Sequence, residues 1–301
     1  MKVLVTGASG FIGAAVCDAL LVRGDTVVGL TRDPARARGT NPNVIWHPWE
    51  PMLERPPAQA FEGVDGVIHL LGERIDQRWT DEAKQRILES RHTGTHNLVG
   101  TIAGLERKPK ALISQAAIGF YGDRGEAIVD ESAAPGTGFD AEVVQTWEAA
   151  AREVEGAGVR LTIIRTGHVL DPRGGFLAHL LTPFKLGVGG PIAGGAQYVS
   201  WIHIDDEVGI ILWALGNEKV SGVINATAPN PVTNKAFSKA LGQALGRPAA
   251  MPVPGLTLDL MYGREFGKVL RGGQRVLPRR ALDLGYEFRH PELDEALDDL
   301  L

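Results

Sequence analysis

The chain has 301 residues, 44% hydrophobic and 22% charged, with a formal net charge of −5 and a pI near 5.9. That length suits one large α/β unit or a main domain with a smaller partner, and the acidic balance offers no broad basic field for nucleic acid or an anionic membrane surface. A single cysteine, Cys17, excludes an intrachain disulfide and a cysteine-built zinc site, and no apolar run reaches the roughly 18 residues of a membrane span.

Short apolar strands alternate with helical stretches through the first two thirds. Val3-Leu4-Val5 reads as a buried strand and leads straight into glycines, without the apolar stretch and cleavage site of a signal peptide, so a cytoplasmic location is expected. Residues 12 to 23 carry Ile12, Val16, Ala19 and Leu20 at helical spacing, and Gly24 ends that helix. Further strands are expected at 27 to 30, 44 to 46, 67 to 71, 111 to 114 and 161 to 165, with helices over 80 to 103 and 139 to 156. This alternation implies an α/β, Rossmann-type doubly wound parallel sheet. Residues 171 to 200 are rich in Gly and Pro, 205 to 216 read as a helix and 223 to 225 as one more strand. The expected division is a nucleotide-binding domain of residues 1 to 170 plus about 201 to 228. A smaller lobe, about 171 to 200 and 229 to 301, is expected over the strand carboxyl ends, its part from about 248 to 296 forming a distinct small domain.

The segment Thr6-Gly7-Ala8-Ser9-Gly10-Phe11-Ile12-Gly13 follows the first strand and opens the first helix, the setting a dinucleotide fingerprint requires. One glycine allows the tight turn, a second lets backbone approach the pyrophosphate, and the third lets helix and strand pack closely. The helix N-terminus presents unpaired N–H groups and a positive dipole end to phosphates. The second strand ends Leu30-Thr31-Arg32, where an NAD binder usually carries an acid for the ribose 2′-hydroxyl. Arg32, with Arg36 and Arg38 nearby, suits a 2′-phosphate, while Asp33 pulls the other way. NADP(H) is the expected cofactor.

These motifs resemble the extended short-chain dehydrogenases/reductases, the sugar-nucleotide epimerase group. Further segments resemble an atypical branch, the SDR39U-like epimerase family proteins. They are His69 to Glu73, Arg78-Trp79-Thr80 with Lys84, Ser90-Arg91, Ile118 to Gly122, Trp147-Glu148, Gly187 to Pro191, Ser200 to His203, and Asn225 to Pro229. The resemblance implies cofactor contacts from Leu70, Leu71, Gly72 and Glu73 after the fourth strand and from Thr166-Gly167 near the nicotinamide. Read from the residues alone, Leu70-Leu71 is also a buried strand end. Arg91 and Lys84 lie seven apart on one helix face, where they can hold the cofactor or an anionic substrate, or pair with Glu82 and Glu89.

Active members of the superfamily use a Ser or Thr and a Tyr-x-x-x-Lys pair, the Tyr as general acid and base. Here the corresponding helix puts Asp140 and Val144 at the Tyr and Lys positions, and Ala116 or Ala117 at the Ser position, with Ser114 just upstream. The remaining candidates for proton transfer are Tyr121, in the Phe-Tyr-Gly-Asp turn, His203 and Ser114. Each also has a structural reading, Tyr121 as packing and His203 as an orienter of the helix that follows. No Gly-x-Ser-x-Gly elbow occurs, and His69, His92 and His96 form no metal pattern, so no metal is expected. The expected function is an NADP(H)-dependent oxidoreductase or epimerase-like enzyme acting on an unidentified small molecule, as a monomer or homodimer. The alternative is an NADP(H)-binding regulatory or scaffold protein without turnover, of the kind that cell-division labels on such families suggest.

Overall fold

Apolar runs too short for helices, each closed by Gly, Pro or a polar turn, become strands, and the amphipathic stretches between them become the covering helices. The computed structural model describes residues 1–301. In chain order it runs β1 (Lys2–Thr6), α1 (Phe11–Val22), β2 (Thr26–Thr31), α2 (Pro34–Thr40), β3 (Ile45–Pro48), β4 (Gly66–His69), α3 (Asp81–Gly104), β5 (Ala111–Ala117), β6 (Ile128–Val129) and α4 (Phe139–Arg152). It continues with β7 (Arg160–Thr166), β8 (His168–Asp171), α5 (Gly175–Lys185), β9 (Tyr198–Val199), β10 (Trp201–His203), α6 (Ile204–Gly216), β11 (Gly222–Ala226), β12 (Val232–Thr233) and α7 (Asn234–Ala244). The last elements are α8 (Gly255–Tyr262), α9 (Arg264–Arg271), β13 (Arg275–Val276), α10 (Arg279–Asp283) and α11 (Leu293–Leu300).

Seven strands form the central sheet in the order β3-β2-β1-β4-β5-β7-β11, every neighbouring pair parallel. A parallel sheet has to bury both faces. Along β1, Val3 and Val5 face a core shared with Val16 and Leu20 of α1 and with Ile204, Val208 and Ile211 of α6. Leu4 faces the opposite core, shared with Leu98 and Ile102 of α3 and Val144 of α4. The chain steps outward from β1 to β2 and β3, then crosses back to place β4 on the other side of β1. Ligands of open α/β sheets bind at the carboxyl ends of strands where the order reverses this way.

A third core ties the later elements together, with Leu177, Leu181 and Phe184 of α5 against Trp201, Phe237, Leu241 and Leu297. Glycine-rich composition hides α5 in the sequence, yet its buried residues recur at the four- and three-residue steps of a helix face. Helix α2 was equally unexpected. Its start carries the Asp-Pro signature, with the Asp33 side chain accepting from the Arg36 N–H and Pro34 at the first helical position. The helix expected over 139 to 156 stops at Arg152 and tightens into a 3-10 turn, Glu153–Ala157, closed by left-handed Gly158. The C-terminal segment is latched to α6 by the buried Asp206 carboxylate, which accepts from the backbone N–H groups of Arg289 and His290 at 2.8 and 2.9 Å.

Candidate active site

The glycine turn joins β1 to α1. Gly7 has φ +66°, and a Cβ there would lie 2.6 Å from the Leu70 carbonyl oxygen, while a Cβ on Gly13 would collide with the Gly7 carbonyl. Both positions therefore require glycine. Gly10 caps α1 with no side-chain hydrogen bond, and the first turn holds no acidic residue. Its N–H groups and the positive end of the helix dipole are open to an anion.

Two cavities flank this turn. One, of about 530 Å³, is lined by Gly7, Ser9, Thr31, Arg32, Arg36 and Leu71, with Asp33 and Trp49 also at its wall. Asp33 is the acid that blurred the choice of cofactor in the sequence. Its carboxylate caps α2 through the Arg36 N–H at 3.0 Å, and Arg32 and Arg36 make no ion pair with it or any other carboxylate. Two exposed guanidinium groups, Arg32 just after β2 and Arg36 in α2, thus remain free for a phosphate.

The other cavity, of about 330 Å³, is lined by Phe11, Ile12, Leu70, Gly72, Arg91, Gln115, Ala116, Ala117, Trp147, Thr166, Gly167 and His168, among others. It contains no carboxylate at its wall. Arg91 is half-buried, burial pushing its guanidinium down to about 10. Its Nη1 donates to the carbonyls of Glu73 and Ile87 at 3.0 and 3.2 Å, and the guanidinium lies 4.9 Å over the Trp147 ring. Trp147 is only 4% exposed, and its indole Nε1 has no hydrogen-bond partner. A buried donor without an acceptor is unfavourable, so this wall fits an oxygen-rich ligand. His168 stands across Gly167 from Thr166 with its ring 4.7 Å from that of Phe176, and burial pushes its imidazole down to about 4.

Most of the expected cofactor residues line these cavities: Gly7, Ser9, Thr31, Arg32 and Leu71 the first, Phe11, Ile12, Leu70, Gly72, Arg91 and Thr166 the second. Seven expected site residues do not, and two of these, Gly10 and Gly13, belong to the turn itself. Thr6 is fully buried, its hydroxyl bonded to His69 Nδ1 at 2.7 Å and accepting from the Leu70 N–H, so it ties β1 to β4. Glu73 contributes its backbone carbonyl to Arg91 while its carboxylate lies near Arg86 and Gln77. Ser114 is buried in β5 opposite His69 of β4.

Tyr121 and His203 lie outside both cavities, and each side chain is engaged in contacts of its own. The Tyr121 hydroxyl donates to Asn225 Oδ1 at 2.7 Å and accepts from Arg165 Nη1 at 2.9 Å, and burial raises it to about 12. Arg165 in turn donates twice to Glu148, at 2.7 and 2.9 Å, with its guanidinium stacked 3.4 Å over Phe120. The Phe-Tyr turn and Glu148 are thus parts of one buried brace. The His203 ring caps α6, Nδ1 accepting from the Asp205 N–H at 3.0 Å, and Nε2 lies 3.3 Å from Asp299. His203, Asp205 and His290 bring their ligand atoms within 4.8 Å of one another. The two rings stack at 3.8 Å, however, so their in-plane lone pairs run side by side and do not converge on one ion.

Residues 3–226 match the family described as NAD dependent epimerase/dehydratase family, and residues 253–300 match a domain of unknown function. The chain belongs to the NAD dependent epimerase/dehydratase family. The mouse epimerase family protein SDR39U1 is 40% identical over 307 residues that cover 100% of each chain. The crystal structure of human SDR39U1 (isoform 2) with NADPH superposes with a TM-score of 0.91 at 36% identity, covering 100% of this chain and 99% of that one. A nucleoside-diphosphate sugar epimerase from Corynebacterium glutamicum superposes with a TM-score of 0.81 at 33% identity, covering 100% of this chain and 58% of that one. No helix is long and apolar enough to cross a membrane.

Gln115, Trp147, His168 and Phe176 also line this cavity, although the sequence does not mark them as site residues. His168 carried a signal, since it stands two residues after Thr166 at the end of the sixth strand of the main sheet. Gln115 and Phe176 carried none, because their place depends on how β5 and α5 meet in space.

Proposed function

We propose that the chain is a cytosolic NADP(H)-dependent oxidoreductase or epimerase-like enzyme that acts on a small carbonyl or alcohol. The observation that carries this reading is the pair of cavities joined by the glycine turn, one with two unpaired arginines and one with room for a nicotinamide and a small substrate. Arg32 and Arg36 hold the 2′-phosphate, the N-terminus of α1 holds the pyrophosphate, and Arg91, Trp147 and Thr166 face the nicotinamide half. The bound nicotinamide supplies or accepts a hydride at the substrate carbon. His168 is neutral at pH 7, so it donates or accepts a hydrogen bond to orient the substrate oxygen but carries no spare proton at that pH.

A second reading, an NADP(H)-binding regulator without turnover, is favoured by Ala116, Ala117, Asp140 and Val144 at the positions of the missing Ser, Tyr and Lys. Asp140 and Val144 lie over Gly119 and outside the cavity. Nicotinamide absorbance, followed with NADPH and a panel of carbonyl compounds and quinones, separates the two. Turnover that falls with His168→Ala supports the enzyme. Tight NADPH binding with no oxidation across the panel supports the regulator.

A further inference from the structure

Glu207 lies in the first turn of α6 and is 0% exposed. It occupies the inner stripe of the helix with Ile204, Val208 and Ile211, in the apolar core between α6 and the sheet. One oxygen, Oε1, accepts from the Thr166 hydroxyl at 2.7 Å, and the other, Oε2, has no partner. Thr166 lines the nicotinamide-side cavity, and Gln115 Nε2 reaches its hydroxyl at 3.4 Å. A buried acid with half its bonding capacity empty, one hydroxyl away from a cavity that lacks the family's tyrosine, calls for a role.

We propose that Glu207, acting through the Thr166 hydroxyl, is the proton reservoir for the cavity and takes over the part of the missing Tyr-x-x-x-Lys pair. The assignment rests on the NADP(H) reading above. In the direction of reduction, a dihydronicotinamide gives a hydride to a carbonyl carbon and the carbonyl oxygen needs one proton. With Glu207 protonated, the 2.7 Å bond runs the other way, the carboxyl O–H donating to Thr166 Oγ and turning the Thr166 proton into the cavity. Thr166 gives that proton to the substrate oxygen, the Glu207 carboxyl refills Thr166, and solvent reprotonates the carboxylate after product departs. Oxidation runs the same transfers backwards, the alcohol proton ending on Glu207. Thr166 is the group that touches substrate, and Glu207 is a positioning and proton-storing residue behind it.

The electrical surroundings suit storage of a proton. Burial lifts the Glu207 carboxyl to about 8, and the Thr166 bond opposes that only in part. No cation faces it. From the elements packed on α6, the titratable groups are Cys17 of α1, pushed up to about 12, the exposed Asp18 of α1, and His69 of β4, His168 of β8 and His203 of β10, all three lowered by burial. Arg160 of β7 donates to the Ala214 and Leu215 carbonyls at the other end of α6. Asp171 of β8 is held by Arg173, and Arg165 of β7 is held by Glu148. Tyr286, whose hydroxyl bonds to Asp206, is raised by burial and stays neutral.

The test needs no substrate. NADP⁺ carries a positive nicotinamide ring that NADPH lacks, so its binding lowers the proton affinity of a nearby acid and expels the proton. Calorimetric titration of both nucleotides at pH 7.5, in buffers of different ionisation enthalpy, counts the protons. The wild-type protein is expected to release about half a proton per NADP⁺ and much less per NADPH. Glu207→Gln is expected to release none with either, with both affinities within about threefold of wild type. Equal release by wild type and Glu207→Gln, or none by wild type, overturns the proposal alone. Binding of neither nucleotide overturns the NADP(H) reading and the proposal with it. Should Glu207→Gln fail to fold, the infrared difference between the NADP⁺ and NADPH complexes of the wild type decides. Loss of a protonated-carboxyl C=O band in the NADP⁺ complex is expected, and an unchanged band is the contrary result.

Discussion

The Thr166 hydroxyl meets Glu207 Oε1 at 2.7 Å, and that is the one hydrogen bond the buried carboxyl makes. The arrangement fixes the sign of a pH effect on stability. The folded-state value is about 8, while an unfolded glutamate titrates near 4.3. Between those values the folded chain holds a proton that the unfolded chain lacks. The contribution is fully present below about pH 4 and is lost as pH rises through about 8, at a slope of at most about 1.4 kcal/mol per pH unit. Scanning calorimetry from pH 5 to 9 is expected to show the wild-type melting temperature falling more steeply than that of Glu207→Gln. Parallel curves would contradict a protonated Glu207.

Cofactor choice should rest on the arginines after β2. With Asp33 committed to the cap of α2, Arg32→Ala is expected to weaken NADPH about tenfold and leave NADH unchanged, since a charge-assisted bond to phosphate contributes about 1.5–3 kcal/mol. Fluorescence titration of both nucleotides checks this. A wild-type protein with equal affinity for the two refutes the 2′-phosphate assignment.

The brace around Arg165 predicts damage to stability without damage to binding. Arg165→Met leaves the buried Glu148 with only the more distant Arg152, 3.7 Å away, and is expected to cost about 3 kcal/mol. Tyr121→Phe removes one hydroxyl from the same network and is expected to cost about 1–2 kcal/mol. Denaturant unfolding measures both. NADPH affinity of Tyr121→Phe should match wild type, and a large loss of affinity or turnover would restore Tyr121 to the active site.

Arg91 and Trp147 should act on one half of the cofactor only. Arg91→Met and Trp147→Phe are expected to weaken NADPH by about five- to tenfold, as loss of one net hydrogen bond does. Adenosine 2′,5′-bisphosphate, which lacks the nicotinamide half, should bind both variants as it binds wild type. An equal loss for both ligands would move the pair away from the nicotinamide side.

The sequence alone determined the parts whose chemistry is local. The turn from Gly7 to Gly13 was legible because backbone clashes across a few residues demand glycine there, and the strand and helix order was legible from apolar spacing. Arg32 was legible by its place after β2, but the role of Asp33 was settled only when the backbone of α2 closed on its carboxylate. Glu207 carried a signal that periodicity could have raised, an acid on the apolar stripe of a helix. Tertiary structure decided everything that required two distant segments to meet. It placed Tyr121 against Arg165 and Asn225, His203 against Asp299 and His290, and Thr166 against Glu207. Those pairings arise from how α6 and the strand ends pack around shared cores, and residue spacing along one chain holds no record of such long-range contacts.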